Sequence, residues 1–474
     1  MKRIRAKYRP ARKKRRKILR AKTAPQRPRR ALRVIQGKMP GQRAVLVRTI
    51  KHSVQEGQVG RAKVGSGKVR TKVLRRPNIL PHVIVAVTGS AGKTTTKEMI
   101  ASILRKRWPI YKSEGNQNYI GNTRRSARRI RSEHQAAVLE FGILRRGNLQ
   151  KHCSILQPSI GVITNIGTAH VGNFGSSING VALAKSELIR YMKPSGLVFL
   201  NADCPYSIKF QSQPYRGRFA GTFISVGVQN PAGYQGYNIR YEGNGMRFEC
   251  KLNRISYSFF IPVQGEHNIS NALLAIAVTH TLGFAPDVIQ EGLRTFYRPH
   301  RRFMTHEYNG IKIIDDTYSA NPAAMKAALN VLDETSKGTN VAVLGSMLEL
   351  GRYTVEGHED VGRHLAQKKV DFLYTLGNHA RSIADGAIRA GFPKYRVQHC
   401  VRRGELHRLL TKLMKPNTTF LVKGSNKMKM NGTANFLRTV AAKQPKGVSH
   451  EQPTTVETAA KTSVTGIQQQ DKQV

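Results

Sequence analysis

The chain has 474 residues, of which 39% are hydrophobic, and this is enough to build two or three domain cores. Its 80 Lys and Arg against 27 Asp and Glu give a formal net charge of +53, which suits anionic partners. The absence of an apolar run of about 18 residues argues against a membrane span, and no secretory pattern follows the basic start. Four widely spaced cysteines argue against a disulfide scaffold or cysteine metal site, so we expect a soluble cytoplasmic protein.

Residues 1–80 form a separate region by composition. They contain 28 Lys and Arg and one acid, Glu56, for a net charge of 28 − 1 = +27. Because apolar residues are few, the composition predicts a disordered basic arm, although VLVRTIKHSV at 45–54 is compatible with a short strand. Two interpretations stay open for this arm: contact with an anionic polymer, or a solvated tail without a dedicated partner.

From residue 81 the pattern becomes that of an α/β protein. The apolar run HVIVAV leads into the glycine-rich TGSAGKTTT at 88–96, and a segment with helical spacing follows. Three more short apolar runs, AAVLEFG, SIGVITNIG and SGLVFLNAD, alternate with helical sequence. This alternation predicts a central domain over 81–297 with a P-loop and a mainly parallel sheet covered by helices.

A second α/β region is predicted over 298–443. Shorter β-like stretches, MRFECKL and ISYSFFIPV, and a helix in HNISNALLAIAVTHTLG precede it. Its strand candidates are GIKIIDD, NVAVLGSM, DFLYTLG and TTFLVKGS, which indicate a Rossmann-like domain. The tail at 444–474 has no aromatic residue and little periodicity, so it is predicted to be disordered.

The glycine-rich segment has the chemistry of a phosphate-binding loop. Backbone N–H groups in such a turn bind phosphate oxygens at a helix N-terminus, Lys93 adds a cation, and Thr94 offers a hydroxyl to Mg²⁺. The spacing departs from G-x-x-x-x-G-K-[ST], since Val87 occupies the first glycine position. A plain solvated connection is the alternative, but the strand before and the helix after favour the phosphate loop.

Eight motifs in order along the chain carry a resemblance to the Mur ligase family. They are TGSAGKTT at 88–95, LEFG at 139–142, ITNIGTAHVGNFGS at 163–176, AKSE at 184–187, GEHNISNALLAIA at 265–277, IIDDTYSANP at 313–322, LGSMLELG at 344–351 and VKGS at 422–425. IIDDTYSANP and LGSMLELG are most similar to the members that add D-alanyl-D-alanine to UDP-N-acetylmuramoyl-tripeptide. The family's UDP-sugar domain is not recognisable in residues 1–80, and Gly172 and Ser319 depart from the usual motifs.

The resemblance implies an ATP-dependent, amide-forming ligase that acts through an acyl phosphate in the synthesis of peptidoglycan precursors. Its partners are then small molecules, namely a carboxylate-bearing peptide and an amine. One alternative is a paralogue that joins a different carboxylate and amine. A more distant alternative is a P-loop ATPase that binds nucleic acid through the basic arm.

The resemblance also implies the site residues and the cofactors, ATP and two Mg²⁺ ions. The nucleotide contacts implied are Thr88, Gly89, Ser90, Ala91, Gly92, Lys93, Thr94, Thr95, Asn271, Arg302 and Asp316. The metal ligands implied are Thr94, Glu140, His170 and a carbamylated Lys185. The substrate contacts implied are Asn116, Asn118, Tyr318, Asn321 and Lys423, and the catalytic residues are Lys93, His170, Lys185 and Arg302.

Two assignments among these residues stay open. Arg301 stands next to Arg302, so the family's γ-phosphate arginine is uncertain by one position. Asn268, near the start of its helix, is interpreted as an N-cap, because asparagine is common there. For Lys185 the chemistry explains the modification: at about 4 Å an ammonium and a metal cation repel by several kcal/mol per unit charge, whereas a carbamate supplies oxygen ligands.

Overall fold

A computed structural model describes residues 80–444 of the chain. The predicted basic arm, its strand at 45–54 and the C-terminal tail lie outside the described residues. Within residues 80–444, no helix combines the length and the apolar character that a membrane crossing needs.

The first half of the described chain builds a nine-stranded sheet. Its strands are β1 Val83–Thr88, β2 Ile110–Lys112, β3 Ala136–Glu140, β4 Ile160–Ile163, β5 Leu197–Asn201, β6 Thr222–Gly227, β7 Tyr234–Glu242, β8 Gly245–Leu252 and β9 Ile255–Ile261. Their spatial order is β2-β3-β1-β4-β5-β6-β7-β8-β9. Pairing is parallel from β2 to β7 and antiparallel from β7 to β9. The helices of this half are α1 Lys93–Arg105, α2 Ile120–Arg129, α3 Asn148–Ile155, α4 Ile178–Tyr191, α5 Pro205–Ile208, α6 Glu266–Thr281 and α7 Pro286–Arg294.

Both faces of this sheet are buried, which explains the continuous apolar runs of its strands. Along β1, Val85 and Val87 pack in the core beneath α1, α6 and α7, whereas Ile84 and Ala86 pack in the core beneath α3 and α4. Successive side chains of a strand point to opposite faces, so a strand covered on both sides is apolar at every position. The carboxyl ends of β1, β3 and β4 therefore meet at one edge, with Val87 beside Glu140 and Thr88 beside Ile163.

The second half builds a six-stranded sheet. Its strands are β10 Met304–Tyr308, β11 Ile311–Asp316, β12 Thr339–Gly345, β13 Phe372–Leu376, β14 Val397–Cys400 and β15 Thr418–Lys423. The order is β10-β11-β15-β12-β13-β14, and the edge pair β10–β11 is antiparallel while the other pairs are parallel. Its helices are α8 Pro322–Thr335, α9 Thr354–Leu365, α10 Arg381–Arg389, α11 Arg403–Thr411 and α12 Asn431–Lys443. Short 3₁₀ turns lie at Val171–Phe174, Lys209–Gln211, Gly351–Tyr353, Asn378–Ala380, Lys394–Arg396 and Asn426–Met428.

The fold class is confirmed: a mainly parallel sheet with a P-loop is followed by a second α/β sheet. The predicted strands correspond to β1, β3, β4, β5, β8, β9, β11, β12, β13 and β15. Five strands had not been predicted, namely β2, β6, β7, β10 and β14. The four cysteines are buried and unpaired, in agreement with reduced thiols. The domain boundaries given above stay predictions.

Candidate active site

The phosphate loop follows β1, and its glycines are required by space and by backbone conformation. Gly89 and Gly92 have φ of +149° and +78°, which L-residues rarely adopt. A Cβ at Gly89 would lie 1.9 Å from Oγ1 of Thr164, and one at Gly92 would lie 2.2 Å from Oδ1 of Asn271. The loop is therefore packed too closely against its neighbours for any larger residue at these two positions.

The segment after β4 fixes the shape of the loop. The Ser90 N–H donates to the carbonyl of Asn165 at 3.0 Å, and the Ala91 N–H donates to the Asn165 side-chain oxygen at 2.9 Å. The hydroxyl of Thr164 donates to the Ala91 carbonyl at 2.5 Å, and Gly167 N–H donates to the Ser90 hydroxyl at 2.9 Å. These bonds hold the loop at the carboxyl edge of the sheet, at the N-terminus of α1.

Three cations and one carboxylate surround the loop. The ammonium groups of Lys93 and Lys185 both donate to the Gly89 carbonyl at 3.0 Å. The Thr94 hydroxyl donates to Glu140 at 2.7 Å and accepts from Arg302 at 3.0 Å. Even when Lys185 is neutral, the charges of Lys93 and Arg302 outnumber the one carboxylate, and a net positive site favours a polyanion such as a triphosphate.

Burial shifts the acid–base properties of these groups. Desolvation lowers the pKa of Lys185 well below its usual value, and the positive charge of Lys93 lowers it further. Desolvation also lowers the pKa of Lys93, against the opposing attraction of Glu140. Partial burial lowers the pKa of His170, although a hydrogen bond to Glu349 opposes the shift. The Lys185 amine is therefore easier to deprotonate than an ordinary lysine.

The second sheet closes the other side of the cavity, whose volume is about 420 Å³. Arg302, which follows α7, reaches across to Thr94, and its guanidinium lies 4.1 Å from the ring centroid of Tyr318. At the carboxyl ends of β11 and β15, the Lys423 ammonium donates to the Asp316 carboxylate at 2.5 Å and to the Ser319 carbonyl at 2.9 Å. The cavity thus lies where the carboxyl ends of the strands of both sheets meet, the usual position of ligand sites in α/β proteins.

Comparison with known proteins identifies the family. The Mur ligase middle domain matches residues 87–279, and the Mur ligase, glutamate ligase domain matches residues 300–426. The UDP-N-acetylmuramoyl-tripeptide–D-alanyl-D-alanine ligase of Bacillus subtilis is 33% identical over 353 residues, which cover 73% of this chain and 74% of the relative. The chain belongs to the Mur ligase family.

A second relative and a solved structure agree with this assignment. The Escherichia coli ligase of the same name is 32% identical over 310 residues, which cover 65% of this chain and 68% of the relative. The crystal structure of MurF from Acinetobacter baumannii superimposes with a TM-score of 0.68 at 30% identity and covers 75% of this chain and 76% of that one. The likeness therefore extends through both sheets of this Mur ligase.

The structure brings most of the implied site residues of this Mur ligase to one cavity. The implied residues that line it are Gly89, Ser90, Ala91, Gly92, Lys93, Thr95, Asn116, Asn118, Glu140, His170, Lys185, Asn271, Arg302, Asp316, Tyr318, Asn321 and Lys423. Thr94 lies just behind them, bonded to Glu140 and Arg302, and Thr88 is buried with its hydroxyl on the Phe141 carbonyl at 2.9 Å. Their separate roles stay predictions.

Several implied contact residues already have partners within the protein. The Asn271 amide accepts from Thr96 at 3.1 Å and donates to Asn268 at 3.0 Å. The Asp316 carboxylate accepts from Lys423 and, at 3.3 Å, from the N–H of Phe303. Binding of a nucleotide through these groups therefore requires it to share or replace those bonds.

The structure gives Arg302 and Arg301 different contacts and corrects the interpretation of Asn268. Arg302 contacts Thr94 at the phosphate loop, whereas Arg301 donates to the Asn426 side chain at 3.4 Å. The N-cap interpretation of Asn268 is wrong, because α6 begins at Glu266 with Gly265 as its N-cap. The Asn268 amide instead donates to the Gln264 carbonyl at 2.8 Å, from within the first turn.

Sequence reasoning had not singled out Glu349 or Lys427, which also line the cavity. Glu349 lies in the LGSMLELG motif, and its carboxylate is hydrogen-bonded to Nδ1 of His170. Lys427 contacts the other carboxylate oxygen at 3.1 Å. Glu349 lies within one of the family motifs, but its contact with His170 forms only because the second domain packs against the central domain.

The residues at the loop fit a magnesium nucleotide. The Thr94 hydroxyl and the Glu140 carboxylate are oxygen donors of the kind Mg²⁺ prefers, and they lie beside the phosphate loop. Among residues 80–444, no cluster of three or more His, Cys, Asp or Glu could hold a metal by itself. Phosphate, water and a modified Lys185 would have to complete the ligand set, as is usual for Mg²⁺ bound with a nucleotide.

Proposed function

We propose that this Mur ligase adds D-alanyl-D-alanine to UDP-N-acetylmuramoyl-tripeptide in the cytoplasm, with ATP converted to ADP and phosphate. The observation that carries the proposal is the group of Lys93, Lys185 and Arg302 around a glycine-rich loop, opposite the single carboxylate of Glu140. Curated relatives of that name, about 30% identical over most of this chain, support the choice of substrates.

The proposed reaction has two steps. A carboxylate oxygen of the tripeptide attacks the γ-phosphorus of ATP, and the bond to the ADP oxygen breaks. The amine nitrogen of the dipeptide then attacks the acyl carbon, loses a proton, and displaces phosphate. Lys93 and Arg302 neutralise the charge on the phosphate oxygens, which is the main contribution that a protein makes to phosphoryl transfer.

Magnesium, when bound, would supply positive charge that stabilises the charge developing on the phosphate oxygens. Thr94 and Glu140 would hold it at the loop, and His170 with carbamylated Lys185 would hold a second ion. Carbamylation requires a neutral amine, which forms a bond to the carbon of CO₂ and releases a proton. The lowered pKa of Lys185 supports this role, because the neutral amine is then more accessible near neutral pH.

A phosphate-release assay tests the proposal. Purified protein with ATP, Mg²⁺, UDP-N-acetylmuramoyl-tripeptide and D-alanyl-D-alanine should release phosphate only when both substrates are present. Lys185→Ala should abolish turnover, and an added short-chain carboxylic acid should restore part of it by replacing the carbamate. Lys151→Ala, an exposed lysine on α3, is the matched control and should keep full turnover.

Other outcomes of this assay would change the conclusion. Phosphate release with a different acid and amine, but not with this pair, would make the chain a paralogue with another substrate. Release that responds to DNA or RNA and ignores amines would indicate a nucleic-acid-dependent ATPase. Binding of DNA or RNA to the protein with and without residues 1–80 tests the proposal that the basic arm contacts an anionic polymer, since deletion of the arm should weaken that binding.

A further inference from the structure

Where the two domains touch near the cavity, the contacting segment of each domain has residues in unusual backbone conformations. On the central domain, His170 and Ser176 have φ of 61° and 48°. On the second domain, Glu349 and Gly351 have φ of 65° and 56°. Residues with side chains rarely hold such angles unless the surrounding structure fixes them, and they concentrate at functional sites.

The backbones of these two segments are in direct contact. The Gly172 N–H donates to the Glu349 carbonyl at 3.0 Å, and the Arg352 N–H donates to the Ser176 hydroxyl at 3.2 Å. A Cβ on Gly172 would lie 2.9 Å from the backbone nitrogen of Gly351. This approach therefore requires a residue without a side chain at 172.

The contact places the Glu349 carboxylate beside the imidazole of His170. One carboxylate oxygen is bonded to Nδ1 of His170, and the other accepts from the Lys427 ammonium at 3.1 Å. A carboxylate can only accept, so Nδ1 carries the proton. Nε2 is then left with a free lone pair and a fixed orientation, as metal-binding histidines require.

We propose that Glu349 is a positioning residue, which acts from the second domain to fix the tautomer and orientation of His170. The inference rests on the role proposed above for His170 in the ligase reaction. On this proposal, His170 is held in position only when the segment at 349–352 lies against the segment at 170–176. Glu349 acts through His170 and contacts no reacting atom itself.

Matched glutamate substitutions test the side-chain contact. Glu349→Gln keeps the shape and removes the charge, and Glu356→Gln makes the same change at an exposed position on α9. We expect Glu349→Gln to lower kcat by about 10- to 100-fold, the usual effect of losing such a partner, with KM for ATP changed less than about threefold. Glu356→Gln should behave as the wild type. A kcat within twofold of wild type in Glu349→Gln, or a raised KM with normal kcat, would overturn the proposal.

Histidine ¹⁵N NMR supplies a test that needs no substrate. With the His170 signals assigned by comparison with His170→Gln, the wild type should show a protonated Nδ1 and an unprotonated Nε2. Glu349→Ala, which leaves no acceptor opposite Nδ1, should shift this signal pattern toward the other tautomer, with an unchanged Tm as evidence of folding. The same tautomer in both proteins would refute the inference. The NMR test involves no catalysis, so its result does not depend on the substrates. An incorrect substrate assignment would be detected separately, in the phosphate-release assay.

Matched glycine substitutions test the backbone contact. Gly172→Ala places a methyl group against Gly351, whereas a Cβ at Gly121 on α2 meets nothing within 4 Å. Gly172→Ala should reproduce the kcat loss of Glu349→Gln and the NMR change of Glu349→Ala, and Gly121→Ala should reproduce neither. A wild-type His170 signal in Gly172→Ala would show that the contact between the domains does not position His170.

Discussion

Lys185 is a buried basic side chain whose position lowers stability but suits the proposed chemistry. Its amino group is buried and donates to the Gly89 carbonyl, and the positive charge of Lys93 acts on it. Burying a charge without an opposite charge costs free energy. Such an arrangement is expected where the neutral amine is needed for reaction.

Lys185→Met should therefore inactivate the protein and stabilise it. The pKa of Lys185 is lower in the folded than in the unfolded state, so the unfolded state binds more protons and stability rises with pH up to the unfolded pKa near 10.4. Removing the amine removes that penalty, and we expect the free energy of unfolding at neutral pH to rise by at least about 1 kcal/mol. Urea unfolding of both proteins at several pH values, without nucleotide, measures it. A less stable variant at neutral pH would contradict this prediction.

Tyr318 is a second residue whose role the structure refines. It was predicted as a substrate contact, but its ring lies against the guanidinium of Arg302, 4.1 Å from ring centroid to Cζ. A cation over an aromatic ring gains roughly 0.5–2 kcal/mol. The ring therefore helps to hold Arg302 in contact with Thr94, whatever the hydroxyl does.

Tyr318→Phe and Tyr318→Ala separate the two roles. Phe keeps the ring, so kcat/KM should stay near wild type, whereas Ala should lower it about 2- to 30-fold, the equivalent of the lost stacking. Steady-state kinetics with ATP and each substrate varied in turn is the measurement. Equal losses in Phe and Ala, with KM for one substrate raised in both, would instead assign the hydroxyl to substrate binding.

Among the structural elements, the packing of α7 against α1 fixes the position of the phosphate loop, which leads into α1. A Cβ on Gly292 of α7 would lie 2.5 Å from Cα of Ile103 on α1, so the two helix backbones approach closely at that point. Because α1 begins at Lys93, a shift of α1 would move the loop as well.

Gly292→Ala should destabilise the protein by about 1–3 kcal/mol, since a methyl group cannot be placed against a backbone atom without moving a helix. Gly404 of α11 is the matched control, because a Cβ there meets nothing within 4 Å. Gly404→Ala should not destabilise, and it should stabilise by less than about 1 kcal/mol, since Gly404 lies in the first turn of its helix. Urea midpoints measure both effects, and destabilisation by Gly404→Ala would contradict the explanation.

The elements also show what sequence patterns can and cannot predict. β1 and β3 are buried on both faces, so their apolar runs were visible, and the glycine-rich loop between a strand and a helix identified the phosphate site. β2 has three half-buried residues and no comparable run. The Asn268 N-cap was wrong because the helix starts earlier, with Gly265 at φ 101°. The contact of Glu349 with His170 joins residues 179 positions apart, and no local pattern encodes it.

At the scale of the whole molecule, the cavity belongs to both domains. Lys93, Glu140 and Lys185 come from the first sheet's side, and Asp316 and Lys423 come from the second. Residues 1–80 hold a net +27 of the chain's +53, so the remaining 53 − 27 = +26 lies in the rest of the chain. Attraction of anionic substrates is therefore not a property of the basic arm alone.

A nucleotide that binds this cavity should stabilise both domains together. At a free concentration 100 times Kd, a non-hydrolysable ATP analogue should add about 2.7 kcal/mol to the free energy of unfolding. The single tryptophan, Trp108, packs on Phe284 at 5.0 Å and reports on the first domain, whereas the buried Cys400 reports on the second through thiol labelling in a variant that keeps only this cysteine. The analogue should raise the urea midpoints of both signals, and Lys93→Ala should abolish both shifts. If the Trp108 signal shifts while Cys400 labelling does not, the nucleotide is held by the central domain alone.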